Sequence, residues 1–271
     1  MRVAAIVRSL AASVIACAVL GCGETPAGPD GCELVVGAAA WPEADALFHQ
    51  DPRWLGADDA YSIDLGGDRV LWLFADTFIA TSAAQVRGES KLIRNSVAVQ
   101  TGRDPSTASV EFAWGEAGGP SSFFPESGDV WYWPGDGERV GDGLLIFLMA
   151  VQKAEGGLGF AVVGSDAVWI ADADAPPSTW SPVTVGTFRD PRYVPGSASV
   201  LVEGDYLYAF TDVEAGAALL RWPLAAIGPS ALPEPEVLTP EPVLTDTQVE
   251  FTVHHDAERD LYVQIQSEGF G

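Results

Sequence analysis

The stretch ADDAYSIDLGGDRVLWLFADTFIATSAAQVRGESKLIRNSVAVQ, residues 57–100, decides the predicted fold. It predicts a strand over 61–65, a tight turn at Gly66-Gly67-Asp68 and a return strand over 69–78 that is dense in Val, Leu, Trp and Phe. Glycines at such a turn supply the positive φ that a short hairpin needs. A continuous apolar run is typical of a strand buried on both faces. We therefore expect a hairpin inside a sheet, followed by a third strand from residue 95.

Three further segments repeat this hairpin pattern. SASVLVEGDYLYAFTDV, residues 197–213, aligns with 62–78, and further copies lie at 138–151 and 250–267. Repeated meanders with Gly-rich turns and no long helical periodicity favour a β-propeller over a β-sandwich, which would not explain matched hairpins. We predict an all-β, five-bladed β-propeller with about four blades present and the last incomplete. We also expect a longer full-length form, since an unclosed ring leaves open strand edges.

The amino-terminal segment has the pattern of a bacterial lipoprotein signal. Arg2 and Arg8 flank the start of an apolar stretch over 10–21, which is too short to span a membrane. The tetrapeptide Val19-Leu20-Gly21-Cys22 resembles a lipobox. We predict a signal peptide over 1–21, a lipidated Cys22 and flexible tether over 22–38, and a β-propeller domain over 39–271. Lipid anchoring implies an exported protein of the bacterial cell envelope, and Gly after the cysteine favours the outer membrane.

The composition limits the partners. The formal net charge is −24, and such a surface repels nucleic acid and anionic lipid head groups but is compatible with a neutral sugar. With Cys17 in the signal and Cys22 acylated, Cys32 has no partner for a disulfide. The sequence has no P-loop, G-x-S-x-G, H-E-x-x-H or dinucleotide motif. We predict no cofactor and no metal, and a monomer that contacts the membrane only through its anchor.

Carboxylates are the remaining candidates for chemistry. In a propeller the innermost strand of each blade lines the axis, so equivalent strand ends converge on one mouth of the channel. The residues predicted to converge are Asp58, Asp59, Asp76, Asn95, Asp136, Ser197 and Glu250. Because glycoside cleavage requires paired carboxyl groups, we predict Asp58, Asp76 and Glu250 as catalytic residues. The alternative is that these acids cap turns through backbone hydrogen bonds.

The same mouth would hold the predicted substrate-binding residues, which are Asp59, Asn95, Trp133, Asp136 and Ser197. Trp133 belongs to the aromatic run Trp131-Tyr132-Trp133, which leads to Asp136. An aromatic face beside a carboxylate suits stacking on a sugar ring, but it suits an inter-blade core as well. The sequence leaves both interpretations open.

Residues 57–79, with RNSVAVQ at 94–100, resemble the first blade of bacterial secreted five-bladed propeller proteins classed as domains of unknown function. Their pattern is D-G-A-Y-S, then W-L-F-G-D-T, then N-S-V, and Asp58 and Asp76 match its two aspartates. The resemblance implies the fold, and it implies an activity like that of related glycoside hydrolases such as endo-D-arabinanases. This chain departs from the pattern at Asp59 and Ala75, where Gly is usual.

Two functional hypotheses follow. The first is an exported, lipid-anchored propeller that acts on an oligosaccharide or polysaccharide as a glycoside hydrolase, with an acidic pair at the propeller mouth. The alternative is a non-catalytic surface propeller that binds glycan or protein. Carboxyl groups about 5 to 10 Å apart in an open pocket would favour hydrolysis, whereas acids bonded to backbone amides would favour a structural role.

Overall fold

The structure is a computed structural model that describes residues 2–6, 39–190, 192–213, 216–238, 243–245, 247, 250–258 and 260–266. Its helical elements are α1 (Pro42–Leu47) and the 3-10 helices Arg87–Glu89, Pro177–Thr179 and Leu224–Ala226. The strands are β1 (Arg2–Ile6), β2 (Trp54–Ala57), β3 (Tyr61–Gly66), β4 (Arg69–Phe74), β5 (Thr77–Ala80), β6 (Ser90–Ile93), β7 (Ser96–Thr101), β8 (Ser109–Ala113), β9 (Trp131–Val140), β10 (Gly143–Lys153), β11 (Phe160–Ile170), β12 (Val183–Phe188), β13 (Val200–Glu203), β14 (Tyr206–Val213), β15 (Gly216–Pro223), β16 (Glu236–Val237), β17 (Leu244–Thr245), β18 (Phe251–Asp256) and β19 (Leu261–Gln266).

Consecutive hairpins build four antiparallel sheets. The first has the strand order β3-β4-β7-β8, and the second has the order β12-β11-β10-β9. The third has the order β13-β14-β15-β16, with β17 also paired to β15, and the fourth contains β1, β19 and β18. Strand β9 contacts both β3 and β13, and β13 in turn contacts β18. These four are therefore the innermost strands of successive sheets, and the predicted all-β, propeller-like fold is confirmed.

Each pair of consecutive sheets encloses its own apolar layer. Ile146 lies in the layer between the first and second sheets, whereas the next residue, Phe147, packs between the second and third. This alternation follows from the period of two along β10. The ring of Phe147 lies 5.6 Å from that of Trp222, and Phe210 lies 5.7 Å from Phe251 between the third and fourth sheets. The core is thus a series of layers that radiate from the inner strands.

The return strand predicted over 69–78 is interrupted. β4 ends at Phe74, and β5 begins at Thr77 in a separate sheet with the order β2-β5-β6. The break occurs because the backbone of Asp58 makes two hydrogen bonds here: Ala75 donates to the Asp58 carbonyl, and Asp58 donates to the carbonyl of Asp76, each at 2.9 Å. Asp76 therefore lies between two sheets and not within one strand.

Helix α1 and the small sheet cover the other face of the first sheet. Their apolar layer contains Leu47, Trp54, Phe74 and Ile79, and the rings of Trp54 and Phe74 are 4.9 Å apart. The segment 41–54 leads into the first blade and packs on its flank.

The aromatic run before Asp136 belongs to β9 of the second sheet. The repeat pattern instead predicts that the hairpin of this sheet begins at residue 138, after the aromatic run. β9 pairs with β10 from Trp131 to Val140, with a register shift opposite Phe147. Gly135 permits this course, since a Cβ at that position would overlap the carbonyl oxygen of Gly196. Asp136 consequently lies inside an inner strand. The short strands β16 and β17 in the Pro-rich segment 228–246 also join the third sheet.

The predicted lipidation site lies outside the described residues, which omit 7–38 and 267–271. Strand β1, within the predicted signal peptide, pairs with β19 from Arg2↔Gln266 to Ile6↔Tyr262. In the part of the chain that the structure describes, every helix is too short or too polar to cross a bilayer. The signal peptide, the anchor and the envelope localisation stay predictions.

Candidate functional site

Four of the predicted acids flank strands, whereas Asp136 lies within β9 and is bonded to the first residue of β13. The region defined by Asp58, Asp59, Asp76, Asp136 and Glu250 is here called the mouth. Asp58 and Asp59 precede β3, Asp76 follows β4, and Glu250 precedes β18. In an antiparallel pair the start of one strand and the end of the next share an edge. Asp58, Asp136 and Glu250 each raise the pKa of Asp59 through their charge, so these three carboxyl groups lie within electrostatic range of Asp59.

Asp59 has a pKa well above its usual range. The main cause is the loss of water around its half-buried side chain, followed by the negative charge of Glu250. A hydrogen bond to Oδ1 from the N–H of Ala60, 2.8 Å long, acts in the opposite direction. The φ of Asp59 is +59°, a conformation that Gly adopts freely and Asp tolerates. This backbone explains why Gly is usual here in the resembling propellers.

Asp136 joins the second blade to the third. Its Oδ2 accepts hydrogen bonds from the N–H of Val200 at 2.7 Å and the hydroxyl of Ser199 at 3.4 Å, and its Oδ1 accepts from the N–H of Gly137 at 2.8 Å. Burial raises its pKa to about 7 in spite of these hydrogen bonds. Because backbone amides occupy both carboxyl oxygens, the geometry favours a structural role over the predicted substrate contact.

Asp76 is surrounded by hydrogen-bond donors. Its Oδ1 accepts from the indole N–H of Trp133 at 3.0 Å, and both of its oxygens lie 3.2 Å from Nη1 of Arg94. The guanidinium of Arg94 in turn lies over the ring of Trp131, 4.6 Å from its centroid. These contacts make Asp76 a fixed acceptor, which weakens its prediction as a catalytic acid or base.

Asn95 and Ser197 are held inside the protein. Asn95 is fully buried, and its Nδ2 donates to the carbonyls of Phe124 at 3.1 Å and Tyr132 at 2.9 Å, while its Oδ1 accepts from the N–H of Phe124 at 2.7 Å. The carbonyl of buried Ser197 accepts from the hydroxyl of Tyr61 at 3.0 Å. Both positions favour a role in holding the mouth together over direct contact with a substrate.

Trp133 takes part both in aromatic packing and in the polar contacts of the mouth. It is half-buried, and its ring meets those of Phe160 and Trp131 edge-on, at centroid distances of 4.9 and 6.3 Å. Its N–H is nevertheless directed at Asp76. Trp133 therefore connects the packing of the second sheet to the mouth.

Three residues of the site carry no sequence prediction: Tyr61, Arg94 and Glu138. Tyr61 and Arg94 fall in or beside the motifs shared with the resembling propellers, and Glu138 shares a strand face with Asp136 two residues earlier. Burial raises the pKa of Glu138 to about 7, with a smaller contribution from Asp64, and burial likewise raises the pKa of Tyr61. Motif position and the period of two along β9 are the signals that could identify these residues.

A cleft of about 900 Å³ runs along the inner strands and reaches Asp136. Its walls include Ser62, Glu138, Val200 and His254, one from each innermost strand. Burial lowers the pKa of His254. Among the residues that the structure describes, no three His, Cys, Asp or Glu side chains are grouped so as to hold a metal ion.

The fold and the site define a propeller-like all-β protein with an acidic mouth. Residues 43–221 match the family model described as Domain of unknown function (DUF5005), and the chain belongs to this family. A presumed hydrolase from Bacteroides ovatus has a similar structure, with a TM-score of 0.53 and 17% sequence identity over 66% of this chain and 51% of that one. This chain thus spans about half the length of that solved structure, and the likeness concerns the fold alone. No curated protein matches the sequence.

Proposed function

We propose that the protein is an exported, lipid-anchored glycoside hydrolase that cleaves an oligosaccharide or polysaccharide at the mouth. The observation that supports this most directly is the environment of Asp59, whose pKa is raised well above its usual range by loss of hydration and by the adjacent carboxylates of Glu250 and Asp58. A raised pKa keeps a carboxyl group protonated toward neutral pH, as a general acid in glycoside cleavage requires.

In this mechanism Asp59 protonates the oxygen of the departing sugar. Glu250 is assigned as the ionised partner, because it is exposed to water and its pKa is raised less far than that of Asp59. A carboxylate in that position either activates water or attacks the anomeric carbon, according to its separation from the acid. Asp58 raises the pKa of both groups. In this proposal the general acid is Asp59, whereas the sequence analysis predicts Asp59 as a substrate-binding residue.

The comparisons suggest which substrates to test first. The resemblance of residues 57–79 to propellers related to endo-D-arabinanases makes arabinan the first choice, with fructan next. The Bacteroides ovatus protein of similar fold is presumed to be a hydrolase, which is compatible with the proposed reaction class. The net charge of −24 is compatible with a neutral polysaccharide and unfavourable for an anionic one.

The test is a hydrolysis assay of the full chain in detergent on arabinan, fructan, xylan and cell-wall polysaccharides. Asp59→Asn and Glu250→Gln should each abolish release of reducing ends while the protein stays folded. Glu111→Gln is the matched control, since Glu111 is exposed on the outer strand β8 of the same sheet. Equal product release by Asp59→Asn and the unmodified chain would contradict the proposed mechanism.

A non-catalytic glycan-binding or protein-binding propeller is the second candidate. The observation in its favour is that Asp136 and Asn95 are committed to backbone groups and not open to a substrate. In that case the same polysaccharides, or protein partners, would be retained by the immobilised protein without any cleavage. Asp59→Asn would then leave binding unchanged.

A further inference from the structure

Arg94 and Asp76 form a compact polar unit at the mouth, here called the clamp and completed by Trp131 and Trp133. Nη1 of Arg94 contacts both oxygens of Asp76 at 3.2 Å, and Trp133 donates to Oδ1 at 3.0 Å. The Arg94 and Asp76 side chains are 32% and 26% exposed, so a ligand can reach them.

The clamp has unused hydrogen-bonding capacity. Within the described part of the chain, Nε and Nη2 of Arg94 donate no hydrogen bond, and Oδ2 of Asp76 accepts only from Arg94. A guanidinium has five N–H donors in a rigid fork, and each carboxylate oxygen can accept two hydrogen bonds. Free donors therefore lie beside a free acceptor. A pair of neighbouring hydroxyl groups matches this surface, because each hydroxyl both donates and accepts.

Buried hydroxyl groups and an indole N–H hold the backbone on either side of the clamp. The fully buried hydroxyl of Thr77 donates to the carbonyl of Ala75 at 2.6 Å and lies 2.9 Å from the hydroxyl of Ser96. The indole N–H of Trp54 donates to the same Ser96 hydroxyl at 3.2 Å. These contacts join the segment that carries Asp76 to the segment that carries Arg94. A binding site built on such fixed elements loses little conformational entropy when the ligand arrives.

The charge of the surroundings selects against anionic ligands. The backbone of Asp58 is hydrogen-bonded to that of Asp76, and Asp59 and Glu250 are close to Asp58. A ligand with a carboxylate or sulfate would meet one paired arginine and several acids. Like charges close together repel one another. An uncharged polyol meets no such cost.

We propose that the clamp is a binding subsite for two neighbouring hydroxyl groups of an uncharged sugar, with Arg94 as the residue that determines specificity. The assignment rests on the proposed function for the identity of the mouth as a glycan site. It gives Asp76 a binding role and names neutral, diol-bearing sugars as the substrate class.

The molecule provides a matched control. Arg53 lies 2.9 Å from Glu116, Trp114 donates its indole N–H to Glu116 at 3.1 Å, and the Arg53 guanidinium lies 4.9 Å from the Trp114 ring. This Arg53 group has the same kinds of contact as the clamp, with Glu in place of Asp and one Trp in place of two. Its Arg and Glu are about half exposed, and Arg53 is at the far end of β2 from the mouth.

The experiment measures binding by calorimetry on the full chain carrying Asp59→Asn, so that turnover does not interfere. The probes are neutral arabino-, fructo- and xylo-oligosaccharides, with oligogalacturonate as the anionic comparison. Arg94→Lys keeps the charge but removes the fork, and it should weaken binding of the neutral probe about tenfold. Arg53→Lys should leave the affinity unchanged, and circular dichroism should show every variant folded.

Three results would overturn the subsite: unchanged affinity in folded Arg94→Lys, tighter binding of oligogalacturonate than of the neutral probes, or no neutral probe bound at millimolar concentration. The proposed hydrolysis is tested separately, on the chain without Asp59→Asn. If that chain cuts no polysaccharide but Arg94→Lys still weakens binding, the hydrolase proposal fails and the subsite stands. If it cuts a polysaccharide and Arg94→Lys does not change KM, the subsite fails and the hydrolase proposal stands.

Discussion

The two halves of the mouth place the same functional group in opposite surroundings. In the acidic half, consisting of Asp58, Asp59, Asp136 and Glu250, loss of hydration raises the pKa of the last three, and the charges of neighbouring carboxylates raise the pKa of Asp59 and of Glu250 further. In the clamp, Asp76 faces a guanidinium and an indole N–H. The neighbouring groups and the extent of burial therefore determine what each carboxyl group can do chemically. One half is suited to proton transfer, and the other is suited to holding a ligand.

The largest expected effect is on turnover and separates Asp59 from Asp76. Asp59→Asn should lower kcat at least about 100-fold, the usual contribution of a general acid. Asp76→Asn should mainly raise KM, by about tenfold, since it removes a binding group. Initial rates across substrate concentrations on the cleaved polysaccharide measure both. Equal losses of kcat in the two variants would contradict the assignment of proton transfer to Asp59 and of binding to Asp76.

The next effect is on stability and separates Asp136 from Asp76. Asp136→Ala leaves the buried N–H groups of Val200 and Gly137 without an acceptor, which should lower the free energy of unfolding by about 3 kcal/mol. Asp76→Ala removes a partly exposed ion pair and should cost less than about 1 kcal/mol. Urea titrations followed by tryptophan fluorescence would compare them. A similar loss in both would mean that the clamp is also a structural element.

Stability should depend on pH because of the buried acids. The pKa of Asp136 and that of Glu138 are each raised to about 7, whereas unfolded carboxyl groups titrate near pH 4. Between these values the folded chain holds protons that the unfolded chain has lost, so the stabilisation is complete below about pH 4 and is lost as the pH rises through about 7. We expect Tm to be higher at pH 5.5 than at pH 8. Between pH 5.5 and about 7, Asp136 should lower the free energy of unfolding by about 1 kcal/mol per pH unit.

Asp136→Asn is the control for this pH dependence, because the amide cannot titrate. Its slope between pH 5.5 and 8 should be shallower than that of the unmodified chain. An equal slope in Asp136→Asn and in the unmodified chain would contradict the raised pKa of Asp136.

The smallest expected effect concerns the support of the clamp. Thr77→Val removes the buried hydroxyl that is bonded to Ala75 and Ser96, which should cost about 1 to 2 kcal/mol in unfolding free energy. Thr77→Ser keeps the hydroxyl and should restore both stability and sugar affinity. If Thr77→Val binds sugar as tightly as the unmodified chain, the hydroxyl does not hold the clamp in place.

The parts of the fold that can be predicted from the sequence are those that depend on local patterns. The hairpin at β3 and β4 and the repeat at β13-β14 occur where alternation and turn glycines indicate them, and β18-β19 occurs where the repeat pattern predicts it. The break at Asp76 cannot be predicted from the local sequence, because it depends on backbone hydrogen bonds with Asp58, which lies between β2 and β3. The inclusion of the aromatic run in β9 depends equally on a close approach to Gly196.

The sequence by itself determines the all-β class, the repeated hairpins and the candidate acids, because strand alternation and turn chemistry act over a few residues. Tertiary structure alone decides what each acid does. Arg94 reaches Asp76 across 18 positions, Trp133 reaches it across 57, and Tyr61 meets Ser197 across 136. Burial and charge at the mouth arise from such distant contacts. For that reason, Asp59 is a candidate proton donor, Asp136 forms hydrogen bonds that connect two blades, and Asp76 is a fixed acceptor.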